Sequence, residues 1–440
     1  MADYKPNKIL DPNTSGYDFR EVYKEGKNEK QFFEMGKNTA SRLGIGSVIV
    51  GRDVRFSSPA LYQAYISGLQ TNDKIRVIKR DVCPTPVVFL EGQRSQTDCV
   101  AVVTASHVRK DYNGIKINFF ERKIPTLHEL ILDSYKKSSI DFDRKYLSVV
   151  IDPLHGTFGN QVAKKVMENF GYNVTEIHGT FNPNFTFSGA PDCHDDNNLE
   201  DLVYEVGKLK SDFGVAFDGD GDRLRVVDEK GTILSENEVG ALLAKYFVGM
   251  FSGVEKPKIV TELKCSQLVR DVISAEGGEY VESKTGRNHL KNKMNKSGAV
   301  FAFEISGHNY FHRDVYPVHT GDDGLFSAMI VGDIIKKAEK PLSQIVNDIN
   351  RGRSYYSPSE ERVHMEKEDS KKVIEALKKM FSDNQEYSVD TTDGIRVQRG
   401  RSWGLVRPSS NVPELTMVFE SDTKDNYTKF RNKFIEIIKG

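Results

Sequence analysis

Three segments of this chain repeat one grammar, and that repetition narrows the possible folds more than any other feature. Ser47-Val-Ile-Val50 is a short apolar run, followed by a polar loop over 51–58 and a helix-like run from Pro59 to Leu69. Ser148-Val-Val-Ile151 precedes a loop over 152–159 and a helical run over 161–168. Lys258-Ile-Val-Thr261 precedes residues 262–266 and a third helical run over 267–273. The second and third units close on Gly171 and Gly277-Gly278, where helices commonly end. Short apolar strands alternating with such helices predict α/β domains with buried, largely parallel strands. The strand starts at 47, 148 and 258 are too far apart for a solenoid. After Arg351 the pattern changes: a charged helical run over 371–380, strand pieces at 394–397 and 403–406, and a closing helix from Asp425 to Lys439 predict a smaller α+β domain. The expected division is three related mixed α/β units at 1–145, 146–232 and 233–350, then an α+β domain at 351–440.

Sixty-two Lys and Arg against 63 Asp and Glu leave a net charge of −1, so no global basic field argues for nucleic acid or an anionic membrane. No apolar run approaches a membrane span, and the first residues lack the apolar core of a signal peptide. Cys83, Cys99, Cys193 and Cys265 are scattered without a C-x-x-C pair, which fits a reducing cytoplasm. The expectation is a cytoplasmic protein, a monomer or homodimer, whose affinity for any phosphorylated ligand is local.

The densest chemistry is Phe217-Asp-Gly-Asp-Gly-Asp-Arg223. Asp218, Asp220 and Asp222 stand two apart, and side chains so spaced point the same way on extended backbone, with glycines allowing it to curl. Massed carboxylates call for an oxygen-liganded cation such as Mg²⁺. Arg223 is placed to meet an anion held by the same metal. An EF-hand calcium loop would need glycine where Arg223 stands, and helices where the flanks read as strands. A solvated acidic turn is the plainer alternative.

Three further clusters are ambiguous alone. Thr104-Ala-Ser-His107 follows the apolar run 99–103, which puts Ser106 exposed on a strand-end loop where open α/β sheets bind ligands; a simple polar loop reads equally well. Glu304-Ile-Ser-Gly-His308 follows the apolar run 299–303 and offers groups for sugar hydroxyls, or is a plain turn. Arg407-Pro-Ser-Ser-Asn411 combines a guanidinium, hydroxyls and backbone amides, a plausible phosphate cradle or again a turn.

Taken in order along nearly the whole chain, these clusters resemble the α-D-phosphohexomutase superfamily, closest to its phosphomannomutase/phosphoglucomutase branch. The resemblance implies four domains around a central cleft. It implies that Ser106 is a phosphoserine and, with Asp218, Asp220 and Asp222, a ligand of Mg²⁺. Glu304, Ser306 and His308 would face the sugar, and Arg407, Ser409, Ser410 and Asn411 would grip the non-reacting phosphate. Tyr17-Asp-Phe-Arg20 is similar to a family motif that makes Arg20 a cleft arginine, and His107 adjoins the phosphoserine. Lys116 matches a lysine for proton transfer or charge stabilisation, and Lys264 another cleft lysine, while Thr85 in a Pro-Thr-Pro element reads as structural. Departures are Val108-Arg109 for the family's Asn-Pro, Glu21 and Phe303 for glycines, and Arg287 for a histidine. The implied reaction moves a phosphoryl group between O1 and O6 of a hexose phosphate, mannose or glucose, through a hexose 1,6-bisphosphate. Alternatives are a phosphoglucosamine mutase, a phosphoserine-using hydrolase and a non-catalytic sugar-phosphate binder. Ile305, where the glucosamine branch carries Gln, favours a plain hexose.

Overall fold

The computed structural model describes residues 16–42, 45–120, 146–185, 189–253, 256–316, 321–353, 355–357, 360–409 and 413–438. The chain divides into two compact units, one of residues 1–239 with 306–345, the other of 240–305 with 346–440.

In the first unit β1 (Gly16–Val22), β2 (Ser47–Arg52), β3 (Arg76–Val82), β4 (Cys99–Val103) and β5 (Tyr112–Phe119) form one sheet in the order β1-β5-β4-β2-β3. β2 runs parallel to β3 and β4, as the strand–loop–helix grammar predicts, but β5 is antiparallel to both β4 and β1. The sheet is thus mixed. β3, with its mostly charged and partly exposed face, is an edge strand whose polarity hides it from an apolar search. Helices α1 (Lys27–Ser41) and α2 (Ser58–Leu69) cover the sheet, and Phe32, Met35, Leu61, Tyr65 and Leu69 bury against Val48, Val50 and Ala101. They approach to backbone contact: a Cβ on Gly36 would lie 2.1 Å from the Tyr65 carbonyl, and one on Gly68 2.0 Å from that of Phe33. Helix α3 (Thr85–Arg94) opens on Thr85-Pro86, a proline position that costs no helical hydrogen bond.

The second sheet of this unit orders as β7-β6-β8-β9, from β6 (Ser148–Asp152), β7 (Asn173–Glu176), β8 (Phe213–Phe217) and β9 (Leu224–Asp228). β6 is parallel to β7 and β8, and β8 and β9 are antiparallel. Both strands of that hairpin are buried along their whole length.

In the second unit β10 (Lys258–Glu262) pairs in parallel with β11 (Glu279–Ser283) and β12 (Phe301–Phe303). The helix Gln267–Ala275 that follows β10 is capped by Ser266, whose hydroxyl accepts from the Leu268 N–H at 3.0 Å. The segment 306–345 returns to the first unit with the antiparallel pair β13 (Asn309–Phe311) and β14 (Gly321–Asp322), then the helix Gly324–Ala338. The C-terminal part of the second unit is an antiparallel sheet ordered β15-β19-β18-β17-β16, from β15 (Glu361–His364), β16 (Ser388–Asp390), β17 (Ile395–Arg399), β18 (Ser402–Pro408) and β19 (Glu414–Glu420). Helices Lys367–Ser382 and Lys424–Ile438 pack Leu377, Phe381, Phe430 and Phe434 onto it. Among the described residues no helix is long and apolar enough to cross a membrane.

Candidate active site

The three aspartates occupy the tip of the β8–β9 hairpin, where Phe217 pairs with Leu224. The backbone there is a tight turn and not the extended chain that the spacing suggested. The Gly221 N–H bonds to the Asp218 carbonyl and to its Oδ1, both at 3.1 Å, and Gly221 takes φ +79°, a left-handed conformation that favours glycine. The turn brings one oxygen of each carboxylate to within 4.8 Å of the others, and all three side chains are fully buried. Burial, with Asp220 and Asp222 adding, pushes the Asp218 carboxyl up to about 7 against the pull of Arg223 and Lys116. Asp220 Oδ1 is buried with no hydrogen-bond partner among the described residues. Such a donor set fits a hard divalent cation with oxygen ligands.

Protein cations close on the same cluster. Lys116, from β5, places Nζ 2.8 Å from Asp220 Oδ2 and also pairs with Asp222 Oδ2. Arg223 Nε lies 3.5 Å from Asp218 Oδ2; burial opposes its charge, but Asp218 and Asp222 outweigh burial and raise its pKa. Thr85 touches the site directly. Its hydroxyl donates to Asp220 Oδ2 at 2.5 Å and its N–H to the Asp220 carbonyl at 3.0 Å.

Ser106 lies on the loop after β4, as expected, but it is not exposed there. It is wholly buried, and its hydroxyl donates to Asp218 Oδ2 at 2.6 Å. The cause is close backbone packing between two loops: a Cβ on Gly219 would stand 2.7 Å from the Ser106 carbonyl oxygen. Ser106 itself takes φ +56°, which L-residues rarely adopt. Its neighbour His107 is half-buried and its pKa falls well below the ordinary value, through desolvation and then the charges of Arg223 and Arg20. Arg20 Nη1 is 3.5 Å from His107 Nδ1 and the same guanidinium pairs with Asp18 at 2.9 Å. His308 Nδ1 lies 3.1 Å from Asp322 Oδ2 and 3.6 Å from Asp222 Oδ1, with Ser306 half-buried on the same loop.

The second unit holds the remaining candidates. Glu304, buried, follows β12, and Glu262 Oε1 accepts the N–H of Ile305 at 2.8 Å. Lys264 Nζ is 3.0 Å from Glu360 Oε2 and 3.8 Å from Glu262 Oε2; burial drags its pKa down, but the two carboxylates outweigh it and hold it above the ordinary value. Arg407, from β18, pairs with Asp393 at 3.1 Å, and Asp393 also accepts the Thr285 N–H at 3.1 Å. That carboxylate links Arg407 to the segment leading into Arg287, the first residue of the helix Arg287–Ser297. The Ser409 N–H donates to the Glu414 carbonyl at 2.7 Å, while Ser410 and Asn411 lie outside the described residues.

Sequence reasoning passed over the carboxylates that hold these groups: Asp322, Glu262, Glu360 and Asp393. The Asp322-Asp323-Gly324 cluster carried a signal, since an acidic pair ahead of an apolar run marks a helix start, and Asp323 does cap the following helix.

Comparison with known proteins places this geometry. The α/β/α domain I, II and III families of phosphoglucomutase/phosphomannomutase match residues 13–137, 131–231 and 235–351. The phosphomannomutase/phosphoglucomutase of Pseudomonas aeruginosa is 30% identical, over 96% of this chain and 95% of that protein. The protein of the same name from Pseudomonas syringae pv. tomato is 31% identical, over 95% of this chain and 93% of its own length. A crystal structure of a phosphoglucomutase/phosphomannomutase family protein from Burkholderia thailandensis, 26% identical, superposes with a TM-score of 0.80 over 97% of this chain and 96% of that one.

Proposed function

Because this chain belongs to the phosphoglucomutase/phosphomannomutase family of the α-D-phosphohexomutase superfamily, we propose that Ser106 is its phosphoryl carrier and that Asp218, Asp220 and Asp222 hold Mg²⁺ beside it. The enzyme is a phosphohexomutase that interconverts hexose 1-phosphate and hexose 6-phosphate, with a glucose or mannose ring. Phospho-Ser106 donates to the incoming monophosphate, the resulting hexose 1,6-bisphosphate turns over, and its other phosphate returns to the serine. The second and third matched spans end at 231 and 351, close to the proposed boundaries at 232 and 350, while the proposed boundary at 145 falls inside the second matched span. Cys83, Cys99, Cys193 and Cys265 are free thiols, which suits a reducing cytoplasm.

The observation that best supports the carrier role is the 2.6 Å contact of Ser106 Oγ with Asp218, inside a buried ring of charge. With all three carboxylates ionised, Lys116 and Arg223 leave that ring one negative charge in excess. A phosphoserine would add roughly −1.5 to −2. A bound divalent cation would offset most of this and stabilise the transferring oxygens. Lys116 and Arg223 supply fixed positive charge at the same point, and uncharged His107 can exchange a proton beside the serine. In the second unit, Glu304 is the acceptor for sugar hydroxyls, and Arg407 and Lys264 are the cations for the phosphate that does not react. Ile305, and Ser409-Ser-Asn-Val-Pro413 as the phosphate loop, favour a plain hexose over an aminosugar.

The test is intact-mass analysis with peptide mapping after incubation with hexose 1,6-bisphosphate and Mg²⁺. Phosphate on Ser106 is expected. Unmodified Ser106 under those conditions would sink the carrier assignment and favour a sugar-phosphate binder.

A further inference from the structure

Arg55 has no part in the chemistry described so far, yet it is one of the most deeply buried charged residues of the chain. It lies in the polar loop between β2 and α2. A guanidinium carries five N–H donors in a rigid fork, and here every one is engaged. Nε donates to Asp53 Oδ2 at 2.9 Å. Nη1 donates to the carbonyls of Arg109 at 2.7 Å and Tyr112 at 3.2 Å. Nη2 donates to the carbonyls of Ser106 at 2.7 Å and Val108 at 2.6 Å. Four of the five bonds therefore fall on the backbone of one segment, Ser106 to Tyr112, which begins at the phosphoryl carrier.

That segment needs holding. Ser106 has a left-handed backbone, and residues kept in such conformations persist where the surroundings over-determine them. The conformation turns the hydroxyl toward Asp218 and the carbonyl toward Arg55. Asp53 anchors the guanidinium in turn, accepting the Arg55 N–H at 3.1 Å and the Ser58 hydroxyl. Asn113, at the start of β5, adds a second tie through Ser57 and Ser58 at the start of α2, at 2.8 and 2.9 Å.

We infer that Arg55 is a positioning residue for phosphoryl transfer, fixing the Ser106–Tyr112 segment so that the serine oxygen stays aligned with the carboxylate cluster through both half-reactions. It touches no reacting atom and acts only through backbone carbonyls. Lysine has three donors on one point charge and cannot span four carbonyls and a carboxylate, and glutamine has two. Neither restores the clamp, although both preserve much of the side chain's reach.

The inference rests on Ser106 being the carrier, and the experiment separates the two. Full-length Arg55→Lys and Arg55→Gln are compared with wild type in the mutase assay with Mg²⁺, hexose 1-phosphate and trace hexose 1,6-bisphosphate, each rate normalised to folded protein by circular dichroism. A misplaced carrier should cost kcat about tenfold to a hundredfold. KM for the hexose phosphate should stay within about twofold, because the groups proposed to bind it are untouched. A structural role alone would lower the melting temperature and leave kcat of the folded fraction unchanged. That result overturns the inference, as would a rise in KM at constant kcat. Failure of both variants to fold also overturns it, by making Arg55 a scaffold residue of the whole unit. Wild-type protein lacking phosphate on Ser106 would sink the carrier assignment instead, and is read without either variant.

Discussion

The two units of this enzyme hold charge in different ways. In the first, Asp218, Asp220, Asp222 and Lys116 are buried; Lys116 pairs with Asp220 and Asp222, Thr85 bonds to Asp220 and Ser106 to Asp218. In the second, Lys264 and Arg407 each keep about a tenth of their side-chain surface accessible and each pairs with a carboxylate, Glu360 or Asp393. Buried charge networks are costly to rearrange, whereas a partly exposed pair can trade its partner for a stronger anion. On the proposed function, the contrast would suit preorganised transfer in the first unit and exchangeable recognition in the second.

The strongest way to break that division is Ser106→Ala. Losing the carrier should lower kcat by about three powers of ten or more, in either direction of the reaction. A variant that still turns over at the wild-type rate removes the reactive centre from this unit. Asp220→Ala should follow, abolishing metal binding in calorimetry together with most activity while the melting transition stays cooperative. A metal-loaded, active variant would refute the cluster.

Arg407→Ala sharpens the other side. Losing one charge-assisted phosphate contact costs roughly 1.5–3 kcal/mol, so kcat/KM should fall about tenfold to a hundredfold for the 1-phosphate and 6-phosphate alike. Metal affinity should be unchanged. An undiminished kcat/KM in both directions would show that Arg407 does not grip phosphate.

The smallest effect is expected away from both sites, at His178. Its Nδ1 lies 2.9 Å from Asp152 Oδ2 and its Nε2 3.3 Å from Asp201 Oδ2. Burial opposes its protonation, but the two carboxylates outweigh burial and raise its pKa. The raised value means the charged imidazole stabilises the fold fully below about pH 6.5, and that contribution fades as pH rises through the folded value. His178→Asn should lower the melting temperature more at pH 6 than at pH 8.5, with mutase activity retained. Equal losses at both pH values would show the pair to be uncharged.

What could be read in the sequence follows the range of the interactions. Phe213–Phe217 and Leu224–Asp228 are legible as strands because their apolar runs and the intervening glycines are local. The antiparallel pairing of β1 with β5 is not, since Arg20 meets Gly114 across most of a domain of chain. The burial of Ser106 depends on a turn 112 residues away and on a left-handed backbone that no side-chain pattern announces. Arg55 was visible only as a polar loop residue, because four of its five bonds go to carbonyls, and carbonyls leave no trace in residue type. The carboxylates behind Lys264 and Arg407 were equally silent: Glu360 lies 96 residues from Lys264, and Asp393 meets Arg407 only through the β17–β18 hairpin pairing.

Lys116 has a consequence for handling the protein. By bridging Asp220 and Asp222 it acts as a resident counter-ion, so chelating the proposed divalent ion would not leave those carboxylates facing each other bare. Stripping and reloading should then be a reversible cycle, with Lys116→Met converting it into a one-way loss of folded protein.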